Sequence, residues 1–431
     1  AAHQFFGFHM AATTHKPLLV DLALQGGGAH GAFTWGVLDR LLEESWLTFD
    51  GISGTSAGAM NAAVMASGFA HGGADGAKAA LEDFWKRVSD ASKFSPMRRG
   101  PMEMLTGQWT LDYSPMYLAA EMASRIFSPY DLNPLGNHPL RPILADMVDF
   151  EALVDSPICL FITATNVRTG AGHVFRNAQI TPDVLLASGC LPTMFQAVEI
   201  DGEFYWDGGY SGNPTITPLV RECRSSDTIL VQINPIVRNE IPRSARDIMN
   251  RLNEVSFNAP LLKELRMIAL LHKVADPGRG EGAQWAGMRL HRIATDRVTE
   301  LTSSSKMITE WPFLCGLRDE GRRTASQFLE AHAADLGKRS TLDLDGVLAE
   351  LDGHDEAWTG MHPQTVLGHM HLHVGNLPQA NAFYGDVIGF GIMTYGLETA
   401  HLMLLAVQPR ARRRNIASSL LDWLEETAIT A

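Results

Sequence analysis

Two short apolar runs, PLLVDLAL (17–24) and FDGIS (49–53), each lead into glycine and then at once into a helical stretch. A chain that passes from buried strand to helix within a few residues, and does so twice, must alternate strand and helix and lay its strands side by side. The first helical stretch, GAFTWGVLDRLLEESW (31–46), sets Phe33, Val37, Leu38, Leu41 and Leu42 at helical spacing with charge opposite them. The second, SAGAMNAAVMASG (56–68), is built of small residues and is expected to end at Gly68. PICLFITATNV (157–167) and DTILVQINP (227–235) read as further core strands, with a helix, TPDVLLASG (181–189), between them. The predicted fold class is α/β, a mostly parallel sheet with helices on both faces.

Beyond these units the texture changes. Residues 94–142 mix methionines, aromatics and prolines without a steady period. They read either as an irregular surface excursion or as a cap or lid over a site, where pliable methionines suit alkyl chains. PLLKELRMIALLHKV (260–274) has a broad helical apolar face whose expected role is core packing. The expected organisation is an N-terminal extension (1–16), a main domain (17–340), a linker (341–360) and a tail (361–431).

Charge and cysteine usage exclude several classes. A net charge of −13 over 431 residues argues against a nucleic-acid partner, which calls for a basic footprint. It also disfavours purely electrostatic docking on anionic membrane, while leaving peripheral apolar contact with lipid open. The four cysteines, Cys159, Cys190, Cys223 and Cys315, stand too far apart for a CxxC metal or redox motif, and their small number suits a reducing, cytoplasmic compartment. The opening AAHQFFGFHMAATTHKP lacks a basic segment followed by a long apolar core, so no signal peptide is expected. No run of about 18 apolar residues predicts a membrane span.

Chemistry is concentrated at the two turns. Gly54-Thr55-Ser56-Ala57-Gly58 fits G-x-S-x-G, the turn that lifts a serine above the end of a sheet between strand and helix. The earlier turn, Gly26-Gly27-Gly28-Ala29-His30-Gly31, reads in two ways. As G-x-G-x-x-G, with Asp50 about 20 residues on, it matches a dinucleotide-binding fingerprint and would make the protein a nucleotide-binding oxidoreductase. As amides at a helix N-terminus, it would hold a developing oxyanion, at about 3–4 kcal/mol per donor. Only the oxyanion reading uses both turns, and it is preferred.

A serine hydroxyl needs a base. His71, His138, His173, His272 and His291 stand in no motif and read as packing or surface residues. Asp207 is the better candidate. It closes the strand EIDGEFYW, with a turn at Asp201-Gly202, and Gly208 and Gly209 permit close backbone approach. A carboxylate near pKa 4 can act as general base when held against the hydroxyl in a partly desolvated site.

In order and in phrasing, GGGAHG (26–31), GISGTSAGAMNA (51–62) and ASGCLPTMFQAVEIDGEFYWDGG (187–209) resemble the patatin-like phospholipase family, over roughly residues 17–340. The resemblance implies a three-layer α/β/α sandwich and a hydrolase of lipid acyl esters, with lipid or ester as substrate and no cofactor or metal. It implies Ser56 as nucleophile, Asp207 as its only base and Gly26, Gly27 and Gly28 as oxyanion-hole donors. Gly31, Gly54, Gly58, Gly208 and Gly209 would support the motifs. One departure is His30, where the family commonly has Arg or Lys; it receives no catalytic role. A non-catalytic lipid-binding protein remains the further alternative.

The tail resembles other families. LGHMHLHVGNLPQANAFYGDVIGFGIM (367–393) is similar to the opening βαβ unit of the vicinal-oxygen-chelate superfamily of glyoxalases and extradiol dioxygenases. There the residue matching His369 ligates iron, and His371 and His373 alternate with it; without the later ligands, no metal site is expected. AHLMLLAVQPRARRRNIASSLLDWLEETA (400–428) resembles the coenzyme A-binding segment of GNAT acetyltransferases, with Asn415 where a glycine belongs and Ala417 in the second glycine place. Arg410 and Arg412–Arg414 read as a solvated helix start. The tail thus reads as truncated module-like segments, a fusion or an assembly artefact.

Overall fold

From Val20 onward strand β1 (Leu18–Leu24) is buried on both faces, which is why its sequence is apolar without alternation. It lies at the centre of an eight-stranded sheet in a computed structural model that describes residues 16–352, apart from 94, 96–97, 239–240, 276–277, 279 and 300, and five short strand segments between 370 and 407. The other strands are β2 (Leu47–Gly54), β3 (Cys159–Asn166), β4 (Gly172–Arg176), β5 (Val198–Ile200), β6 (Glu203–Asp207), β7 (Asp227–Val231) and β8 (Arg289–Ile293). Their order is β5-β6-β3-β2-β1-β7-β8, with β4 also paired to β3. The run β3-β2-β1-β7-β8 is parallel throughout, whereas β4 and β6 pair antiparallel with β3, and β5 with β6. The expected mostly parallel α/β sheet is present.

Alternate residues of the sheet enter opposite cores. Leu22, Leu24, Leu160, Ile162, Ile229 and Val231 join one apolar cluster; Ala23, Phe161 and Leu230 join another. The first is closed by helices α1 (Gly31–Leu41), α2 (Ala57–Ala91) and Trp311–His332, the second by Thr217–Glu222 and Ala245–Val274. This is the expected three-layer sandwich. The 260–274 stretch forms the latter half of Ala245–Val274 and buries Leu261, Leu265 and Ile268, the core role read from its face.

Three local expectations change. Helix α2 runs past Gly68 and breaks at Gly72–Gly73, where the φ of Gly73 is 59°. Gly68 is instead a contact point, since a Cβ there would lie 2.6 Å from the Gly76 carbonyl, so the residue permits a fold-back and does not end the helix. Residues 94–142 carry short helices, Pro101–Thr106, Pro115–Ser124, Pro129–Leu132 and Leu140–Met147. The first three each start on proline, whose fixed φ and missing N–H suit a helix start. Within 341–360, read as a linker, Leu344–Asp352 is helical and Leu344 is buried in the second core.

The chain divides into two units, residues 1–354 and 355–431. In the second, Met393–Tyr395, Ala400–Leu402 and Met370–Leu372 form one antiparallel sheet, and Ile388–Phe390 pairs with Ala406–Val407. His371 stands opposite His401 in that register. His369, His373, Arg410, Arg412–Arg414, Asn415 and Ala417 lie outside the described residues, as do 1–15.

Helix α1 and Trp311–His332 cross at backbone contact. A Cβ on Gly36 would strike the Arg318 carbonyl, and one on Gly321 the Phe33 carbonyl. Backbone on both sides leaves nothing flexible to yield. Gly36→Ala and Gly321→Ala are each expected to lower stability by about 1–3 kcal/mol, read as a fall in the urea midpoint; an unchanged midpoint would show that the helices can separate at little cost.

Candidate active site

The meeting of the two turns is fixed by register on β3. Strand β4 pairs with Phe161–Thr165 along one edge of β3, so β2, which pairs with Cys159–Ile162, and β6, which pairs with Ala164–Asn166, must share the other edge. They run toward each other there. The last paired residue of β2 is Gly54, opposite Ile162, and that of β6 is Asp207, opposite Ala164. Two residues of strand separate them, about 7 Å. The chain leaving β2 therefore carries Ser56 to the end of β6, close enough for its side chain to draw the Asp207 carboxyl down.

Ser56 is held in a conformation that side chains rarely adopt, φ 54° and ψ −121°. The surroundings over-determine it. Its amide donates to Ser188 Oγ (2.9 Å), whose hydroxyl donates to the Thr163 carbonyl (2.7 Å). Thr55 Oγ1 donates to the Gly212 carbonyl (2.7 Å). The glycines of the turn are needed for space: a Cβ on Gly54 would lie 2.6 Å from the Gly58 carbonyl, and one on Gly58 would strike the Leu24 carbonyl. A Cβ on Gly31 would lie 2.7 Å from that of Ala57, where α1 and α2 start side by side.

Asp207 is 1% exposed. Its Oδ1 accepts from the Gly209 amide (2.8 Å), its own amide donates to the Cys190 carbonyl (2.8 Å), and its carbonyl accepts from Thr165 Oγ1 (2.8 Å). A Cβ on Gly208 would strike the Thr163 carbonyl and one on Gly209 the Phe257 ring, so both glycines let this corner seat. Burial pushes the Asp207 carboxyl up from 3.8 to about 7, against the opposing pull of Gly209, Ser56 and the charge of Lys306. Because its folded pKa lies above its unfolded one, Asp207 favours the folded state at acid pH and loses that contribution as pH rises toward 7.

The glycine loop lies against this pair. A Cβ on Gly26 would be 2.7 Å from that of Ser56. The Gly26 amide is already taken by Asn213 Oδ1 (2.7 Å), so it is a strut of the loop and not a free donor in this state. Among the described residues, no hydrogen bond engages the amides of Gly27 and Gly28. Gly28 has φ 59°, and a Cβ there would lie 2.5 Å from the Lys306 carbonyl, so no other residue fits. Asn234 Nδ2 donates to the Gly26 carbonyl (2.7 Å), and Gln25 Oε1 accepts from the amides of Ile233 and Asn234 (2.8 and 2.9 Å).

His30 is buried, with Nε2 2.7 Å from Ser305 Oγ. Burial, then the charges of Lys306 and Arg238, hold its imidazole well below the ordinary value, so it is neutral near pH 7. The nearby cation is instead Lys306, whose Nζ donates to Asn234 Oδ1 (2.7 Å). Burial lowers it to about 8, opposed by Glu254 and Asp207. Lys306, Asn213, Asn234 and Ser188 were not singled out in the sequence, since each reaches the site only through tertiary folding. Asn213-Pro214 and Asn234-Pro235, each following a core segment, were the available signal.

Among the described residues, no histidine hydrogen-bonds Ser56 or Asp207. His71 bonds the Ser67 carbonyl and pairs with Asp149, His138 stacks near Phe195, and His291 pairs with Asp227. Asp50, the acid needed by the dinucleotide reading, stands beside Asp21 in the sheet, five residues before Gly26 and so about 16 Å of strand away, and binds Arg224. The loop therefore has no ribose-binding acid at that place.

The 94–142 segment touches this end of the molecule. Gln196 Nε2 donates to the Asn133 carbonyl (2.7 Å), and the Ala197 amide to the Tyr130 hydroxyl (3.3 Å). Met102, Met104, Leu105, Ile126, Phe127, Leu132 and Leu135 are exposed along it. No helix among the described residues is long and apolar enough to cross a membrane.

Comparison with known proteins gives three findings. Residues 22–220 match the sequence model of the patatin-like phospholipase family, and residues 349–431 that of the acetyltransferase (GNAT) family, a match that reaches back well beyond position 400. A catechol-2,3-dioxygenase of Bacillus subtilis (strain 168) is 44% identical over 54 residues, which is 12% of this chain and 18% of that protein, so the chain spans under a fifth of this curated relative. Among solved structures, VipD from Legionella pneumophila aligns over 73% of this chain and 67% of its own, at 18% identity and TM-score 0.35. The complex of SpcU with ExoU from the type III secretion system of Pseudomonas aeruginosa aligns over 73% and 53%, at 17% identity and TM-score 0.25. The expected resemblance to the patatin-like phospholipase family is thus shown over residues 22–220.

Proposed function

We propose that the protein is a serine hydrolase of acyl esters, a lipid acyl hydrolase or carboxylesterase, working through a Ser56–Asp207 dyad without histidine. The observation that carries this reading is the closeness of Ser56, in its strained turn, to the buried Asp207 carboxyl, which its side chain draws down. The match of residues 22–220 to the patatin-like phospholipase family supports lipid esters as substrate. The exposed apolar residues of the 94–142 segment support its role as a cap that meets lipid at the periphery of a membrane.

In this mechanism Ser56 Oγ attacks the ester carbonyl while Asp207 takes the hydroxyl proton. The carbonyl oxygen becomes an oxyanion facing the amides of Gly27 and Gly28, and the Gly26 amide joins them only by leaving Asn213. Asp207 returns the proton to the departing alkoxide, leaving an acyl-Ser56 ester. A water deprotonated by the same carboxylate then attacks that ester, and Ser56 recovers its proton as the acid leaves. An Asp207 carboxyl near 7 is a far stronger base than an exposed one, which offsets the absence of an imidazole.

Ser56→Ala and Asp207→Asn are each expected to lower kcat for p-nitrophenyl esters by at least about 10⁴, and a fluorophosphonate probe should label Ser56. Retained turnover in either variant, or labelling elsewhere, would overturn the dyad. Because Asp207 must be ionised to accept the proton, kcat/KM should rise with pH through about 7. Lys306→Met removes a charge that favours the ionised carboxylate, so that rise should move to higher pH; a profile that stays in place would separate Lys306 from the dyad.

A further inference from the structure

At the opposite end of the sheet from Ser56 lies a second cluster of reactive side chains that the hydrolase mechanism does not use. Asp21 on β1 and Asp50 on β2 are 1% and 2% exposed, and Cys223, the residue after helix Thr217–Glu222, is buried with them. One carboxylate oxygen from each aspartate and the Cys223 sulfur all lie within 4.8 Å of one another. Cys223 Sγ occupies the space that a side chain on Gly51 would fill. Gly51 is paired across the strands with Cys159, whose thiol is near enough to Cys223 for each to shift the other's pKa. Two carboxylates and one thiol from three separate segments thus converge on one point, with the Cys159 thiol beside them.

Asp21 supplies the independent sign that something is missing. Its Oδ1 is buried and has no hydrogen-bond partner among the described residues. Oδ1 also lies 3.2 Å from the same Gly51 Cβ position that the Cys223 sulfur fills, so it points into the cluster. Asp50, by contrast, is oriented from outside by the Arg224 guanidinium and by the amides of Arg224 and Ser225, the kind of outer support that fixes a metal-ligating carboxylate.

We propose that Asp21, Asp50, Cys223 and Cys159 form a structural zinc site that ties the leading ends of β1, β2 and β3 to helix Thr217–Glu222. Mixed oxygen and thiolate donors suit zinc above calcium or magnesium, which take oxygen alone. Tetrahedral bonds of about 2.0 Å to oxygen and 2.3 Å to sulfur set donor separations of roughly 3.3–3.8 Å, a contraction for Asp21, Asp50 and Cys223 and a side-chain swing inward for Cys159. The charges nearly cancel. Two carboxylates and two thiolates carry four negative charges against three positive ones from the dication and the Arg224 guanidinium, and Cys159, partly exposed, is the fourth donor and the way in from solvent. On binding, the protons of the thiols and of any protonated carboxyl are released to water.

The test uses the full chain, stripped with a chelator, reloaded with zinc chloride and desalted, with metal read by mass spectrometry. Because the rest of the chain carries histidines that take zinc too, the readout is the difference between proteins. Asp21→Asn and Cys223→Ser should each hold one zinc fewer per chain than the wild type, while Cys315→Ser, on helix Trp311–His332, should match it. Equal stoichiometry in folded Asp21→Asn and Cys223→Ser, judged by circular dichroism, would overturn the site. Should those variants fail to fold, the wild type alone decides. Zinc must slow iodoacetamide labelling of Cys159 and Cys223, mapped by peptide mass, and leave Cys315 unchanged; equal rates with and without zinc would refute the proposal. Neither measurement depends on ester hydrolysis.

Discussion

One edge of β3 serves two strands that approach from opposite directions, and the candidate site exists because of that sharing. Had β6 paired anywhere else, Asp207 would be a buried acid at a turn and Ser56 a hydroxyl with no base. The arrangement needs β3 to continue four residues past its last contact with β2, and the last three, Ala164–Asn166, are the ones β6 takes. Backbone hydrogen bonds are directional and must be satisfied when buried, so the register leaves little freedom in where the two ends meet.

Around this junction, charge is arranged to keep a carboxylate both buried and usable. Desolvation raises Asp207, while the Gly209 amide, the Ser56 hydroxyl and the Lys306 charge draw it part of the way back. Lys306 is itself lowered by burial and stays cationic with the help of Glu254, which Arg238 and Arg251 hold in turn. His30, within the glycine loop, contributes no charge. The positive influence on the site therefore comes from a residue about 275 positions downstream of the loop, carried there by the backbone contact of Gly28 with Lys306.

Much of this was legible because it is local. Strand–glycine–helix turns announce themselves through apolar runs and residues that leave room for backbone, and Gly26–Gly31 and Gly54–Gly58 both fell where they were read. The Asp201-Gly202 turn likewise shows positive φ at both residues, as a tight hairpin of right-handed strands requires. What was missed is non-local or ambiguous. Gly68 looks like a helix stop but marks a close approach. Asn213 and Asn234 carry no pattern of their own, and each becomes informative only once β6 and β7 flank the loop. Cys159 and Cys223 stand 64 residues apart, so a search for short spacings could not join them. The starts of the short helices were there to be read, since Gly100-Pro101, Ser114-Pro115 and Ser128-Pro129 are ordinary helix openings.

The β5–β6 hairpin gives the molecule an unequal division of labour. The serine stands at the root of a long helix, inside the parallel body, and is as immobile as the core itself. The carboxylate rides on a short flap at the margin, fastened to β3 by three paired positions and to its own partner strand by three more. In the proposed mechanism, competence therefore depends on how one marginal ribbon is seated: the pairing of β6 with Ala164–Asn166 alone sets where the Asp207 carboxylate stands relative to Ser56.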